Sequence, residues 1–292
     1  MSNEYMITEV SGLVERYLRR FETVGWNRFT GFDFAGVRGE LLTDEQVEAL
    51  RTAMLVEDHI PGYSRAYHDL FALTPDLPAA ELSFRRQMLH FVFKWTSDED
   101  RHAHTLENYL SATKRVDAAE LGAEMRAAVV QPYRAPFPDG MQMAVYTVIQ
   151  EKATQVFYAK LRDACQEPVG KAVLDSLSQD EARHCGFFSD LLRVYMAAPG
   201  GVDMKLIKEA VVEFKMPLYG VLDNYRRRSI IMMRAARGYD FRDAFGLIKQ
   251  AVSRFADART DSRTQGLAEL LDALDSRTVK HPHGQNVHVH AP

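Results

Sequence analysis

The pentapeptide Asp98-Glu99-Asp100-Arg101-His102 recurs as Asp180-Glu181-Ala182-Arg183-His184, and both copies sit in stretches that otherwise read as apolar helix. Charged clusters on helices are ordinarily solvated faces, yet Phe91, Phe93, Leu106 and Leu110 surround the first copy. In each copy a glutamate and a histidine are three residues apart, hence roughly 60° apart around a helix and one turn along it. Both side chains then reach one point beside the helix. A carboxylate and an imidazole at one point form half of a site for a borderline metal such as iron or manganese. Buried charges persist only when paired or bound to a metal, so a chain carrying two such halves has to fold them against each other.

Each copy has a further carboxylate one helix upstream. Glu57 lies in "LVEDHIPGY" and Glu151 in "VIQEKATQV". Measured from the breaks at "TPDLPAAE" and "QEPVG", Glu57 and Glu99 stand level in one antiparallel pair to within about a turn. Glu151 and Glu181 do the same in another. Apolar residues recur with helical rather than alternating spacing. Ile7, Val10, Val14, Tyr17, Leu18 and Phe21 stripe a first helix from Met6 to Phe21. Thr43 and Gln46 have capping-box spacing and open a second, which runs to about Leu73 with Pro61 forcing a kink or an altered turn. Long helices are expected from about Ala80 to Ala112, Met141 to Ala164 and Lys171 to Ala198, with a short one from Ala118 to Val130. Weaker ones are expected from Met204 to Lys215, Leu218 to Arg237, Phe241 to Asp257 and Ser262 to Leu274.

The long connection from Ala112 to Met141 supplies a crossover, and two lone glutamates plus two Glu-x-x-His helices are the pattern of di-iron carboxylate bundles. The expected fold is therefore all-α, with a ferritin-like four-helix core and flanking helices. Residues 1–276 are expected to form this single domain. Residues 277–292 are expected to form a flexible tail carrying His281, His283, His288 and His290.

Bulk properties narrow the function. The 292 residues are 46% apolar and 26% charged, as in soluble globular proteins. A net charge of -4 argues against a globally basic nucleic-acid binder. No apolar run approaches the roughly 18 residues that span a bilayer, and "MSNEYMITEVSG" lacks the pattern of a secretory signal. Cys165 and Cys185 form no disulfide framework or zinc spacing, so a reducing cytoplasm is expected. No phosphate loop, dinucleotide fingerprint, nucleophile elbow or HExxH motif occurs.

Four motifs in order, "EDHIPGY" at 57–63, "WTSDEDRH" at 95–102, "QEKAT" at 150–154 and "DEARH" at 180–184, resemble the soluble acyl-acyl-carrier-protein desaturases of plants and mycobacteria. The resemblance covers about Arg16 to Val194. It implies two iron ions per chain, one served by Glu57, Glu99 and His102 and the other by Glu151, Glu181 and His184, with Glu99 and Glu181 bridging. Glu57 rather than Asp58 matches, because the family's acid lies four residues before the proline; Asp58 and His59 are spare, with His59 in a supporting or surface place. Asp180 is expected to orient His102 and Asp98 to orient His184, with Arg101 and Arg183 offsetting carboxylate charge. Trp26 matches a family tryptophan near a ligand histidine, on an electron route or in a packing role. Thr154 matches a threonine associated with oxygen handling, or is an ordinary helix threonine. Asp100 and His104 are bystanders.

The resemblance further implies O2-dependent desaturation of an acyl chain on acyl carrier protein, electrons from a ferredoxin-type donor, and a homodimer. An unactivated methylene is beyond side-chain acid–base chemistry, so a metal cofactor has to carry the reaction. A di-iron oxygenase or hydroxylase of a specialised metabolite, and a non-catalytic ferritin-like iron-binding protein, are the alternatives. Tyr63, Tyr67, Phe91, Phe93, Met141, Met143, Tyr146 and Phe157 are candidate channel walls or ordinary core. Arg226, Arg227, Arg228, Arg234 and Arg237, or Arg85 and Arg86, are candidate docking patches for an acidic carrier, or solvated helix faces.

Overall fold

A computed structural model describes residues 4–23, 25–257 and 266–278. The described residues are helical and connecting segments, with no strand among them. The helices are α1 (Glu4–Thr23), α2 (Asp44–Glu57), α3 (Ile60–Leu70), α4 (Ala79–Ala112), α5 (Ala118–Val129), α6 (Gly140–Ala164), α7 (Pro168–Ala197), α8 (Met204–Val212), α9 (Tyr225–Ala235), α10 (Phe245–Asp257) and α11 (Leu267–Thr278). The four tail histidines lie outside the described residues.

Side-chain chemistry sets the boundaries. Thr43 and Gln46 form the reciprocal capping box that starts α2. Asp139 accepts from the amides of Met141 and Gln142 at the start of α6. Glu167, fully buried, caps α7 through Gly170 N at 2.6 Å and also accepts from the Tyr109 hydroxyl at 2.9 Å, tying α7 to α4.

The bundle's directions follow from its cross-contacts. Gln46 bonds Ala164 O, Glu57 meets Tyr158, and Tyr67 meets Thr147, so α2 and α3 run antiparallel to α6. Ser178 bonds Gln155 O and Cys185 approaches Val148 O, so α6 and α7 are antiparallel along the most extensive pairing in the molecule. Tyr109 lies by Glu167 and Phe91 stacks on Phe187, so α4 and α7 are antiparallel too. Parallel α4 and α6 then require the crossover, which α5 fills. Arg51 of α2 holds α5 through Glu120 at 2.9 Å and through Glu124. The core is completed by α1, whose Tyr17 packs edge-on against Phe91 and Phe187. Burying each such ring contributes about 1.5–3 kcal/mol relative to exposure.

Two expected helices are revised. The second does not run through to Leu73: α2 ends at Glu57, and α3 begins at Ile60 with Pro61 in its first turn. Proline lacks an amide hydrogen and its ring collides with the carbonyl four residues back, which here is that of Glu57. The helix expected from Leu218 begins only at Tyr225. Pro217 and Gly220 interrupt it, and Leu218 and Asn224 adopt left-handed backbone (φ 60° and 57°). The irregular segment from Glu213 to Asn224 and the helices α8 to α11 lie over the α2–α6 side of the bundle.

Candidate metal centre

The break after α2 puts Glu57 at a helix end, level with α4. From α4 come Asp98, Glu99 and His102, from α6 Glu151, and from α7 Asp180, Glu181 and His184; all eight are buried. Donor atoms of Glu57, Glu99, His102 and Glu181 lie within 4.8 Å of one another, as do those of Glu99, Glu151, Glu181 and His184.

The two imidazoles face inward through Nδ1. His102 Nδ1 is 3.3 Å from Glu99 Oε2, 3.2 Å from Glu181 Oε1 and 3.9 Å from Glu57 Oε2. His184 Nδ1 is 3.1 Å from Glu99 Oε1, 3.4 Å from Glu151 Oε2 and 3.8 Å from Glu181 Oε2. Glu99 and Glu181 each turn one oxygen toward each histidine, so both carboxylates span the two groups.

The outward nitrogens are held crosswise. His102 Nε2 lies 3.1 Å from Asp180 Oδ2, and His184 Nε2 lies 3.3 Å from Asp98 Oδ2. Arg101 donates to Asp98 at 2.9 Å and to Asp180 at 2.7 Å, and Arg183 pairs with Asp180. Trp26 donates from Nε1 to the same Asp180 oxygen at 2.9 Å, and its ring lies parallel to His102 with centroids 6.3 Å apart. Thr154 donates to Gln150 O at 3.1 Å, one turn beyond Glu151.

Charge balance tests whether a cation pair fits. Burial, then the neighbouring Glu99, pushes the Glu57 carboxyl up to about 8. Burial, then Glu181 and Glu99, drives Glu151 well above the usual range. Burial also works against charge on Glu99 and Glu181, but the two imidazoles outweigh it and hold both below the usual range. Despite burial, His102 is raised well above its usual value by Glu181, Glu57 and Glu99, and His184 by Tyr17 and then Glu99, Asp98 and Glu151. Nδ1 of both histidines, Glu99 Oε1, Glu181 Oε1 and both oxygens of Glu151 are buried without a hydrogen-bond partner. They approach one another at ion-pair distance without hydrogen-bond alignment. Buried polar atoms are normally partnered, so these inward-facing O and N donors fit two borderline metal ions.

A cavity of about 500 Å³ lies between α2, α6 and the C-terminal segments. Val56, Phe157, Phe214, Met216, Met232 and Tyr239 give it mainly apolar walls, and Glu57, Thr154 and Tyr158 join it to the carboxylate cluster. Of the eight candidate wall residues, only Phe157 lines it. Tyr63, Tyr67, Phe91, Met141, Met143 and Tyr146 pack in the core, and Phe93 is 58% exposed on α4. Aromatic neighbours pack against Tyr63, Tyr67, Phe91 and Tyr146 in the core.

The model of the family described as fatty acid desaturase matches residues 35–273. The chain belongs to this fatty acid desaturase family. Among its relatives is the Mycobacterium tuberculosis protein named as an acyl-[acyl-carrier-protein] desaturase, DesA1, 25% identical over 251 residues that cover 78% of this chain and 70% of that one. DesA2 of the same organism, named likewise, is 31% identical over 145 residues, 50% of this chain and 49% of that one. The Arabidopsis thaliana stearoyl-[acyl-carrier-protein] 9-desaturase 6 is 26% identical over 147 residues, 49% and 37% of the two chains. The X-ray structure of DesA2 superposes with a TM-score of 0.60 at 16% identity, covering 89% of this chain and 98% of that one. The two share the all-helical ferritin-like fold.

Other residues of this desaturase-family chain fall away from the centre. Asp100 is exposed and pairs with Arg28 at 2.7 Å, and His104 packs edge-on against Phe29. Asp58 is outside the cluster, and His59 is buried between Tyr63 and Tyr133 rather than at the surface. Among the basic residues, Arg228 is taken by Glu124 and Arg85 by Glu81. Arg86, Arg226, Arg227, Arg234 and Arg237 are exposed. Sequence reading missed Tyr158, whose hydroxyl donates to Glu57 Oε1. Its signal was available: it lies two turns beyond Glu151 on the same face of α6.

Proposed function

We propose that the protein is an O2-dependent di-iron desaturase that places a double bond in an acyl chain carried on acyl carrier protein, with electrons from a ferredoxin-type donor. The observation that carries this reading is the junction of a buried two-histidine, four-carboxylate cluster with a mainly apolar cavity at Glu57, Thr154 and Tyr158. The names of the mycobacterial and plant relatives support the substrate class.

In this reading Glu57, Glu99, His102 and Glu181 hold one iron, and Glu99, Glu151, Glu181 and His184 hold the other. The bound iron pair supplies the O2 reduction and hydrogen removal that side chains cannot. The protein's own part is placement. Asp180 and Asp98 fix the tautomer of His102 and His184 by accepting a hydrogen bond from Nε2–H, which leaves the Nδ1 lone pair free to bind metal. Arg101 offsets the charge of both aspartates. Trp26 contacts Asp180 and His102, a side-chain route from the half-buried indole to the centre, and so serves electron entry. Apolar walls exclude water and lay the acyl carbons against the face formed by Glu57 and Thr154. The exposed arginines of α9, on the helix that also lines the cavity through Tyr225, Ser229 and Met232, suit an acidic carrier. The reading includes a cytoplasmic homodimer.

The test is incubation of the iron-loaded protein with acyl-acyl-carrier protein, O2, ferredoxin and its reductase, followed by mass spectrometry. Loss of two hydrogens from the acyl chain supports desaturation. Gain of an oxygen atom would assign a hydroxylase instead, and an unchanged acyl chain with many irons bound per chain would assign iron storage.

A further inference from the structure

The two halves of the centre repeat each other in sequence but differ in what holds their outer carboxylates. Glu151 has both oxygens free of hydrogen bonds. Glu57 has one oxygen engaged: the fully buried Tyr158 donates to Oε1, and Oε2 is the atom that faces His102. The other phenols beside the cluster from α3 do not supply a counterpart for Glu151. Tyr63 donates to Val56 O at 3.0 Å, and Tyr67 pairs with the Thr147 hydroxyl.

We propose that Tyr158 is a positioning residue that turns one oxygen of Glu57 away from the centre and makes the two metal-binding halves unequal. The inference rests on the di-metal reading above. The Glu57 half then offers one oxygen from its outer carboxylate, one from each of Glu99 and Glu181, and His102 Nδ1. The Glu151 half offers the same set through His184 plus a second outer oxygen. The half with fewer protein donors is the one at the cavity, because Glu57 and Tyr158 both line its wall and Glu151 does not. That half binds its metal more weakly, fills second, and keeps the more open coordination on the side where substrate lies.

The test is anaerobic titration of the metal-free full-length protein with ⁵⁷Fe²⁺, read by Mössbauer spectroscopy and by competition with a chelator. Two quadrupole doublets of different splitting are expected, filling in sequence. Tyr158→Phe should move one doublet and leave the other in place. By releasing Glu57 Oε1 toward the centre it should tighten the second-filling site by about tenfold, the scale on which partners that orient a ligand act, bringing it toward the first-filling site, which stays unchanged. A merely structural role would broaden or weaken both sites together. The inference is overturned by one shared doublet in the unaltered protein, or by a Tyr158→Phe spectrum in which both doublets or neither move. The measurement on the unaltered protein stands even where the variant does not fold. Failure to bind about two irons at all would instead overturn the di-metal reading.

Discussion

Replacing Glu57 with glutamine should make the metal-free protein more stable while weakening its hold on metal. Four carboxylates share one buried space, and the pressure on Glu57 is large enough to push its carboxyl from an ordinary 4.5 up to about 8. At pH 7 the folded chain therefore takes up a proton that the unfolded chain lacks. Forcing that uptake costs about 3 kcal/mol at pH 7. Glutamine is neutral at every pH, nearly the same shape, and its carbonyl still accepts from Tyr158. The sign follows from the direction of the shift. A carboxyl whose folded value is raised exerts no penalty below its unfolded value. The penalty grows as pH climbs toward the folded value and then levels off.

The assay is thermal and urea unfolding of both proteins in chelator from pH 5 to pH 8. The glutamine variant should gain under about 1 kcal/mol at pH 5 and about 3 kcal/mol at pH 7, the latter equivalent to about 5 °C in Tm for a chain of this size. With metal present the order should reverse, because the unaltered protein gains more from binding. A variant less stable than its parent in chelator at pH 7, or an advantage that stays flat with pH, refutes the idea that crowded buried carboxylates hold the metal-free site under strain.

Four other outcomes are expected. Metal analysis after iron loading should give near two ions per chain, with Glu99→Gln losing metal from both halves because its two oxygens face both histidines, and Asp100→Asn unchanged because that side chain is exposed. Asp180→Asn should weaken metal binding about 10- to 100-fold in a chelator competition, since it orients His102. Ser229→Phe should fill part of the cavity and cut acyl-chain binding by at least about tenfold while leaving metal content intact, measured by calorimetry with an acyl ligand. Glu167→Ala should lower unfolding free energy by about 2–4 kcal/mol in urea titrations, through the lost α7 cap and the stranded Tyr109 hydroxyl.

What was legible in the sequence is what depends on short separations. Glu99 and His102, or Glu181 and His184, point to one place because helical geometry fixes residues three apart, and the long helices that carry them keep their period over many turns. The level match of Glu57 with Glu99 survives the break at Asp58 and His59 because that break falls just beyond the glutamate. Long-range details were not legible. Tyr158 reaches Glu57 across 101 residues; its place two turns beyond Glu151 puts it on the right face of α6, but only the folded bundle brings Glu57 opposite it. The cavity walls contributed by Phe214 and Met216 come from a segment whose path depends on Leu218 and Asn224 in left-handed backbone, which the apolar pattern hides. Tyr67 and Phe91 have the composition of a channel and the spacing of a core, and packing alone decided between them.

The crosswise bracing explains why the two pentapeptides need each other. Asp98 belongs to the first copy but serves His184 of the second, and Asp180 of the second serves His102 of the first. Arg101 donates to both aspartates at once. A slip of α4 along α7 by one turn, about 5.4 Å, would break both aspartate–histidine contacts and the Arg101–Asp180 bond together, and would strand buried charges on each helix. Apolar packing between Phe91, Phe187 and their neighbours offers no comparable penalty for such a slip, since one aromatic face can replace another. The register of the bundle is therefore set by the polar residues of the centre, and the apolar core supplies most of the free energy that holds the helices in that register. A chain that kept the core but lost Asp98 and Asp180 would be expected to stay helical and compact while its four glutamates lost their common level.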